Sequence, residues 1–146
     1  MNYAVILAAG SGKRMQNNAP KVLRLIAGKT VLWHTIKKYD TATSIDGMVL
    51  VVPKGMLTIY SEMVSDMHVE KCIDLVEGND TRMQSAFEGL KAVDKQCDLV
   101  AIHDAARIMI TPQDIDMPCK MLRLMVLLLF VALYLTPLNK LNMVKS

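Results

Sequence analysis

Cysteine is scarce in this chain: Cys72, Cys97 and Cys119 stand far apart, with no C-x-x-C pair. That spacing indicates neither a zinc site nor a disulfide framework. A reduced, cytoplasmic compartment is the expectation. Aromatics make up only 5% of residues, and the net charge is a mild +3. The basic residues are scattered and no aromatics interleave with them, so no nucleic-acid footprint is present. The N-terminus lacks a charged segment followed by an apolar stretch and a cleavage site, so no signal peptide is read there. The one long apolar run, twelve residues from Leu124 to Leu135, falls short of the ~20 that a membrane span needs. No membrane partner is expected.

Two phosphate-binding signatures are also missing. G-x-x-x-x-G-K-[ST] does not occur, and Met15 stands where G-x-G-x-x-G needs its third glycine. What is present is an alternation of strand and helix patterns. "YAVILAA" (3–9), "GMVLVVP" (47–53), "CIDLVEG" (72–78) and "DLVAIHD" (98–104) read as buried strands. Between them, "VLWHTIKKY" reads as a helix capped by Thr30, with Leu32, Ile36 and Tyr39 at helical spacing. Residues 56–66 form a short helix pattern. "TRMQSAFEGLKAV" forms another, capped at Asp80 or Thr81, with Met83, Phe87 and Leu90 along one face. A further helix pattern begins at Thr111. Strands alternating with helices predict an α/β fold with a parallel sheet covered on both faces. Ligands of such sheets sit at the carboxyl ends of the strands. The segments 8–21, 78–85 and 103–107 all fall at or after those ends.

The first of these segments is built for an anion. Ala8, Ala9, Gly10 and Gly12 let a ligand approach the backbone closely. Exposed N–H groups in such a turn make a concavity suited to phosphate oxygens. Lys13, Arg14 and Lys21 add full positive charges. Taken alone, the segment also fits an ordinary strand-to-loop turn with surface cations. In the second segment, Gly78 and Ser85 bring a backbone group and a hydroxyl that can read a pyrimidine edge, with Asp80 and Arg82 between them. In the third, Asp104 can help hold Mg²⁺ or a ribose, or simply bond nearby N–H groups of its turn. Arg107 can anchor that loop or contact a substrate. His34 and His103 have no ligand spacing and read as structural, and Trp33 reads as packing.

"AAGSGKRM" followed by "PK" resembles the nucleotide-binding loop of the nucleotidyltransferases that activate sugars as nucleoside diphosphates. "GNDTRMQSAFEGL" (78–90) resembles G-G-x-x-R-x-x-S-x-x-x-G-L, and "IHDAAR" (102–107) resembles V-H-D-A-A-R-P. Together the three are similar to the 2-C-methyl-D-erythritol 4-phosphate cytidylyltransferase family, with ribitol-5-phosphate cytidylyltransferases sharing the same signatures. The resemblance spans about residues 3–116. It implies a truncated Rossmann-like sheet of the nucleotide-diphospho-sugar transferase type. It implies a reaction of CTP with a polyol phosphate, most simply 2-C-methyl-D-erythritol 4-phosphate, giving a CDP-polyol and pyrophosphate with Mg²⁺. Arg14 and Lys21 would be catalytic. Ala8, Ala9, Gly10, Gly12, Gly78, Asp80, Arg82, Ser85, Asp104 and Arg107 would bind, with Asp104 also at the metal. The family implies a homodimer for a full-length chain. Two positions depart from the pattern: Asn79 replaces a glycine, and Asn tolerates a left-handed backbone better than most residues, so the turn can survive; Ile108 replaces a proline, which puts the shape of that loop in question.

The likeness stops after Asp116. Residues 1–116 read as the CTP-binding part and 117–146 as a divergent apolar tail. The family would continue with an A-P-V-x-D-T-x-K segment. Moving the codon boundary by one nucleotide permits "NAKTDGAVIVCRPVSDTIKQVEHGQ" across Lys120–Lys145, with P-V-x-D-T-x-K at the expected place. A reading-frame slip is therefore the expectation for the tail. An inactive truncated fragment is the matching alternative for the whole chain.

Overall fold

The computed structural model describes residues 1–10 and 20–135. The elements run β1 (Asn2–Leu7), β2 (Leu25–Ile26), β3 (Lys29–Thr30), α1 (Val31–Thr41), β4 (Gly47–Val52), α2 (Leu57–Asp66), β5 (Cys72–Glu77), α3 (Arg82–Ala92), β6 (Leu99–Asp104) and α4 (Pro112–Leu135). The order β5-β4-β1-β6 forms one sheet, parallel throughout. β1 and β4 are buried at every position, which is why both read as unbroken apolar runs.

Alternate side chains of the central strands serve two cores. Ala4, Ile6, Met48, Leu50 and Val52 pack with Leu32, Ile36 and Tyr39 of α1, Tyr60 of α2, and Ile115 and Cys119 of α4. Tyr3, Val5, Leu7, Val49 and Val51 pack with Ala86 of α3 and with Val93. The chain steps from β1 to β4 to β5 in one direction, then crosses back beyond β1 to β6. Keeping one hand of crossover through that reversal places α3 on the opposite face. The reversal opens a crevice beside the carboxyl end of β1, where α/β sheets take their ligands.

Thr30 caps α1, its hydroxyl accepting from Trp33 N at 3.1 Å. Thr81 caps α3 in a reciprocal box with Gln84. The apolar stripe of α3 is exposed, with Met83 at 80%, Phe87 at 60% and Leu90 at 39%. The helix meets the sheet instead through Ser85, Ala86 and Gly89. A Cβ on Gly89 would lie 2.4 Å from Val5 Cγ1 and 2.8 Å from Val51 Cγ2. So close an approach excludes large side chains from the contact face and leaves them on the flank.

One feature has no counterpart in the sequence patterns. β2 and β3 form a hairpin around Ala27 (φ 50°) and Gly28 (φ 77°), two left-handed residues that suit a two-residue turn. α4 begins where expected. Thr111 Oγ1 accepts from Asp114 N at 3.2 Å, and Pro112 opens the helix, where its missing N–H costs nothing. Asp116 accepts from Thr43 Oγ1 at 2.7 Å and Ser44 N at 2.7 Å. Burial would raise its pKa, but these bonds hold the carboxyl below its ordinary value. Arg123 reaches Asn2 Oδ1 at 3.2 Å. Past that residue, 124–128 are exposed. Among the described residues no helix is long and apolar enough to cross a membrane.

Candidate functional site

The three chemically interesting segments all leave the carboxyl end of the sheet. Ala8 N donates to Val51 O at 2.8 Å, Gly78 N to Val52 O at 2.7 Å and Ala105 N to Leu7 O at 2.9 Å. Each loop therefore starts from a fixed strand end. Ala8 is buried, and Ala9 and Gly10 follow it outward. Gly12 and Arg14 lie outside the described residues. Lys21 opens a short 3-10 turn, Lys21–Leu23, behind Pro20. Val22 within that turn is buried in the core shared with α1.

Gly78 is wedged between two of the segments. A Cβ there would lie 2.4 Å from Ala9 Cβ, 2.8 Å from Ser85 Oγ and 3.1 Å from Val51 Cγ1. No side chain fits, and the first loop rests directly on the second. Ser85 is buried, and its hydroxyl accepts from Asn79 N at 2.9 Å and donates to Asn79 O at 3.0 Å. It clamps the turn's backbone and keeps one lone pair. Asn79 has no positive φ, so the turn survives the substitution without drawing on that tolerance. Its side chain takes up the substitution instead. Asn79 Oδ1 accepts from Asp80 N at 2.9 Å and from Lys54 Nζ at 3.0 Å. Lys54 also lies 3.9 Å from Asp80.

Asp104 is gripped from two sides. Its Oδ1 accepts from Arg82 Nε at 2.9 Å, and its Oδ2 forms an ion pair with Arg107 Nε at 3.1 Å. The arginine side chains are 64% and 76% exposed, against 26% for the carboxylate. Two guanidiniums face one carboxylate, leaving surplus positive charge at the rim. Exposed pairs of this kind contribute only ~0–1 kcal/mol to stability. Among the described residues no group of three or more His, Cys, Asp or Glu could hold a metal ion. Mg²⁺ carried on phosphates needs only one or two carboxylates and keeps several waters. Asp104 offers one such carboxylate.

Sequence reading passed over the support behind this loop. His103, read as structural, places its ring 5.3 Å from that of Tyr39, and its Nε2 lies 3.1 Å from Arg107 O. A carbonyl only accepts, so Nε2 carries the proton. Burial lowers the His103 pKa, against the opposing pull of the Arg107 carbonyl and Asp104. Thr35, fully buried in α1, donates to Ala105 O at 2.8 Å. Lys38 Nζ donates to Ile108 O. The signal for Thr35 was a polar residue on the stripe Leu32–Ile36–Tyr39.

Comparison with known proteins agrees with this geometry. The family described as 2-C-methyl-D-erythritol 4-phosphate cytidylyltransferase matches residues 2–135. A Clostridium botulinum (strain Loch Maree / Type A3) protein of that name is 39% identical over 115 residues, covering 79% of this chain and 50% of the relative. A Clostridium novyi (strain NT) protein of the same name is 39% identical over 116 residues, again 79% and 50%. The solved 4-diphosphocytidyl-2C-methyl-D-erythritol synthase of Anaerococcus prevotii matches with a TM-score of 0.70 at 31% identity, covering 84% of this chain and 50% of that one. A nucleotidyl transferase from Methanothermobacter thermautotroptrophicus, at 20% identity and a TM-score of 0.66, shares the fold. The chain spans about half the length of the curated relatives it matches. The sheet, the three strand-end motifs and these matches agree: the chain belongs to the 2-C-methyl-D-erythritol 4-phosphate cytidylyltransferase family.

Proposed function

We propose that this chain provides the CTP-binding half of a cytidylyltransferase that joins CTP to 2-C-methyl-D-erythritol 4-phosphate, releasing pyrophosphate, in cytoplasmic isoprenoid precursor synthesis. The observation that supports this best is the convergence at the strand ends: Gly78 seated on Ala9, and Asp104 between Arg82 and Arg107. A phosphate nucleophile is already ionised, so the reaction needs positioning and charge neutralisation rather than a general base. In this reading the backbone of 8–12 cradles the triphosphate and the turn 78–85 holds the cytosine. Arg14 lies against the β- and γ-phosphates. Lys21 meets the α-phosphate as charge spreads toward the leaving pyrophosphate. Arg82 and Arg107 exchange their grip on Asp104 for phosphate oxygens. Asp104 would be the residue to hold Mg²⁺, which would supply further charge neutralisation.

The polyol phosphate and the second protomer of a homodimer belong to the part beyond residue 116. Residues 117–146 are proposed to be a frame-slipped replacement for that part. The test compares the 146-residue polypeptide with a version restored by one nucleotide. The shorter product is expected to bind CTP–Mg²⁺ and release no pyrophosphate with the polyol phosphate. The restored protein is expected to turn over, and Lys21→Ala in it to lower kcat on the order of 10²–10³-fold. Comparable turnover by both soluble proteins would show that the tail is a working part of the enzyme.

A further inference from the structure

The face of α1 that points at the sheet carries one residue that burial alone does not explain. Leu32, Ile36 and Tyr39 are apolar core residues, yet Thr35 between them is polar and fully buried. A buried hydroxyl must find a partner or lose the hydrogen bonds it had in water. In a helix the usual partner is a carbonyl one turn back. Thr35 instead bonds out of its helix, to Ala105 O at 2.8 Å, 70 positions along the chain. Ala105 is itself buried, and its N–H is spent on Leu7 O at 2.9 Å. The peptide groups on either side of Ala105 are thus held by β1 and by α1. Lys38, one turn further along the helix, donates to Ile108 O. Tyr39 packs its ring against His103, whose Nε2 bonds Arg107 O at 3.1 Å.

Three consecutive contacts from one helix therefore span residues 103–108. They bracket Asp104 and Arg107, the pair at the rim of the site. Ile108 stands where the family's pattern has proline, a residue that fixes its own backbone. The Lys38 bond supplies a tie at that same place.

We propose that α1 is the positioning element of the Asp104–Arg107 loop: Thr35 is a positioning residue that fixes Ala105 from beneath, and Lys38 secures the loop's exit at Ile108. This rests on the reading of that loop as part of the nucleotide site, but its test does not need nucleotide.

Amide hydrogen exchange, followed residue by residue on the 146-residue chain, provides the test. Ala105 and Arg107 N–H are the reporters, bonded to Leu7 O and Asp104 O, and the β4 amides are the internal reference. Thr35→Val keeps the shape and removes the donor. It is expected to speed exchange at 105 and 107 by roughly five- to a hundredfold, the range for a buried acceptor left unpaired, with β4 changing less. Thr35→Ser is expected to restore the slow rates. Equal acceleration at every amide, or wild-type rates at 105 and 107, would overturn the proposal. Lys38→Met leaves the core intact and decides the matter if Thr35→Val does not fold. Faster exchange at 107 supports the device, and an unchanged rate overturns it. Calorimetric titration with CTP–Mg²⁺ completes the experiment. A wild-type chain that binds no CTP defeats the proposed function, while the exchange rates still decide the role of α1. Where CTP binds, weaker binding by Thr35→Val that is recovered by Thr35→Ser supports the device, and unchanged binding overturns it.

Discussion

The two strand-end loops that flank the site are held by opposite means. The turn after β5 is fixed by exclusion and by neutral hydrogen bonds. Gly78 has no room for a side chain, and one buried hydroxyl holds both the N–H and the carbonyl of Asn79. The loop after β6 carries its functional groups on charge. Asp104 sits between two largely exposed guanidiniums, while the backbone beneath them is tied to α1. Close packing tolerates almost no displacement, whereas exposed ion pairs exchange partners at little cost. The contrast suits a site in which one part recognises a fixed shape and another yields its charges to an incoming anion.

Gly78→Ala tests the rigid side most severely. The new methyl meets Ala9 Cβ and Ser85 Oγ well inside contact distance, and neither belongs to a long flexible side chain. A loss of about 3 kcal/mol is expected, the upper part of the usual overpacking range. Urea unfolding measures it, assuming the two-state behaviour common at this size. CTP binding should fail as Ala9 is pushed away. A variant of normal stability would mean that the turn is loose. Ser85→Ala should act less strongly, because water can reach the partly buried Asn79 groups it leaves unpaired. About 1 kcal/mol is expected, with CTP affinity falling and affinity for inorganic triphosphate held. Parallel loss of both ligands would assign the turn to the phosphates rather than to the base.

Much of this arrangement was legible before any coordinates. The continuous apolar runs of β1 and β4 and the cap at Thr30 appear where patterning put them. So does the strand-end placement of Gly78, Arg82, Ser85, Asp104 and Arg107. What escaped has local physical causes. The stripe Met83–Phe87–Leu90 is a sound helical pattern, but the closeness of α3 to the sheet is set by Gly89 meeting Val5. Periodicity cannot see that distance. The tie from Thr35 to Ala105 joins residues 70 apart, beyond the reach of any local pattern. The hairpin at Ala27–Gly28 was missed because its strands are two residues each, too short to alternate. At α4 the pattern and the structure part company in another way. The helix is anchored by Ile115, Asp116, Cys119 and Arg123, but it leaves the apolar residues 124–128 exposed.

The yielding side gives the smallest stability effect and the sharpest functional contrast. Arg82→Gln and Arg107→Gln each remove one partner of Asp104 while the other remains 2.9–3.1 Å away. Because the arginine side chains are largely exposed, each change should move the unfolding free energy by less than ~0.5 kcal/mol. Affinity for CTP–Mg²⁺ should nevertheless fall, and the remaining affinity should depend less steeply on salt, because screening acts on the charge that was removed. The double variant should lose more affinity than either single change. If the variants unfold at markedly lower urea while CTP binding and its salt dependence stay as in the parent, the arginines serve the loop's structure. The division into a packed turn and a charged, exchangeable loop would then fail.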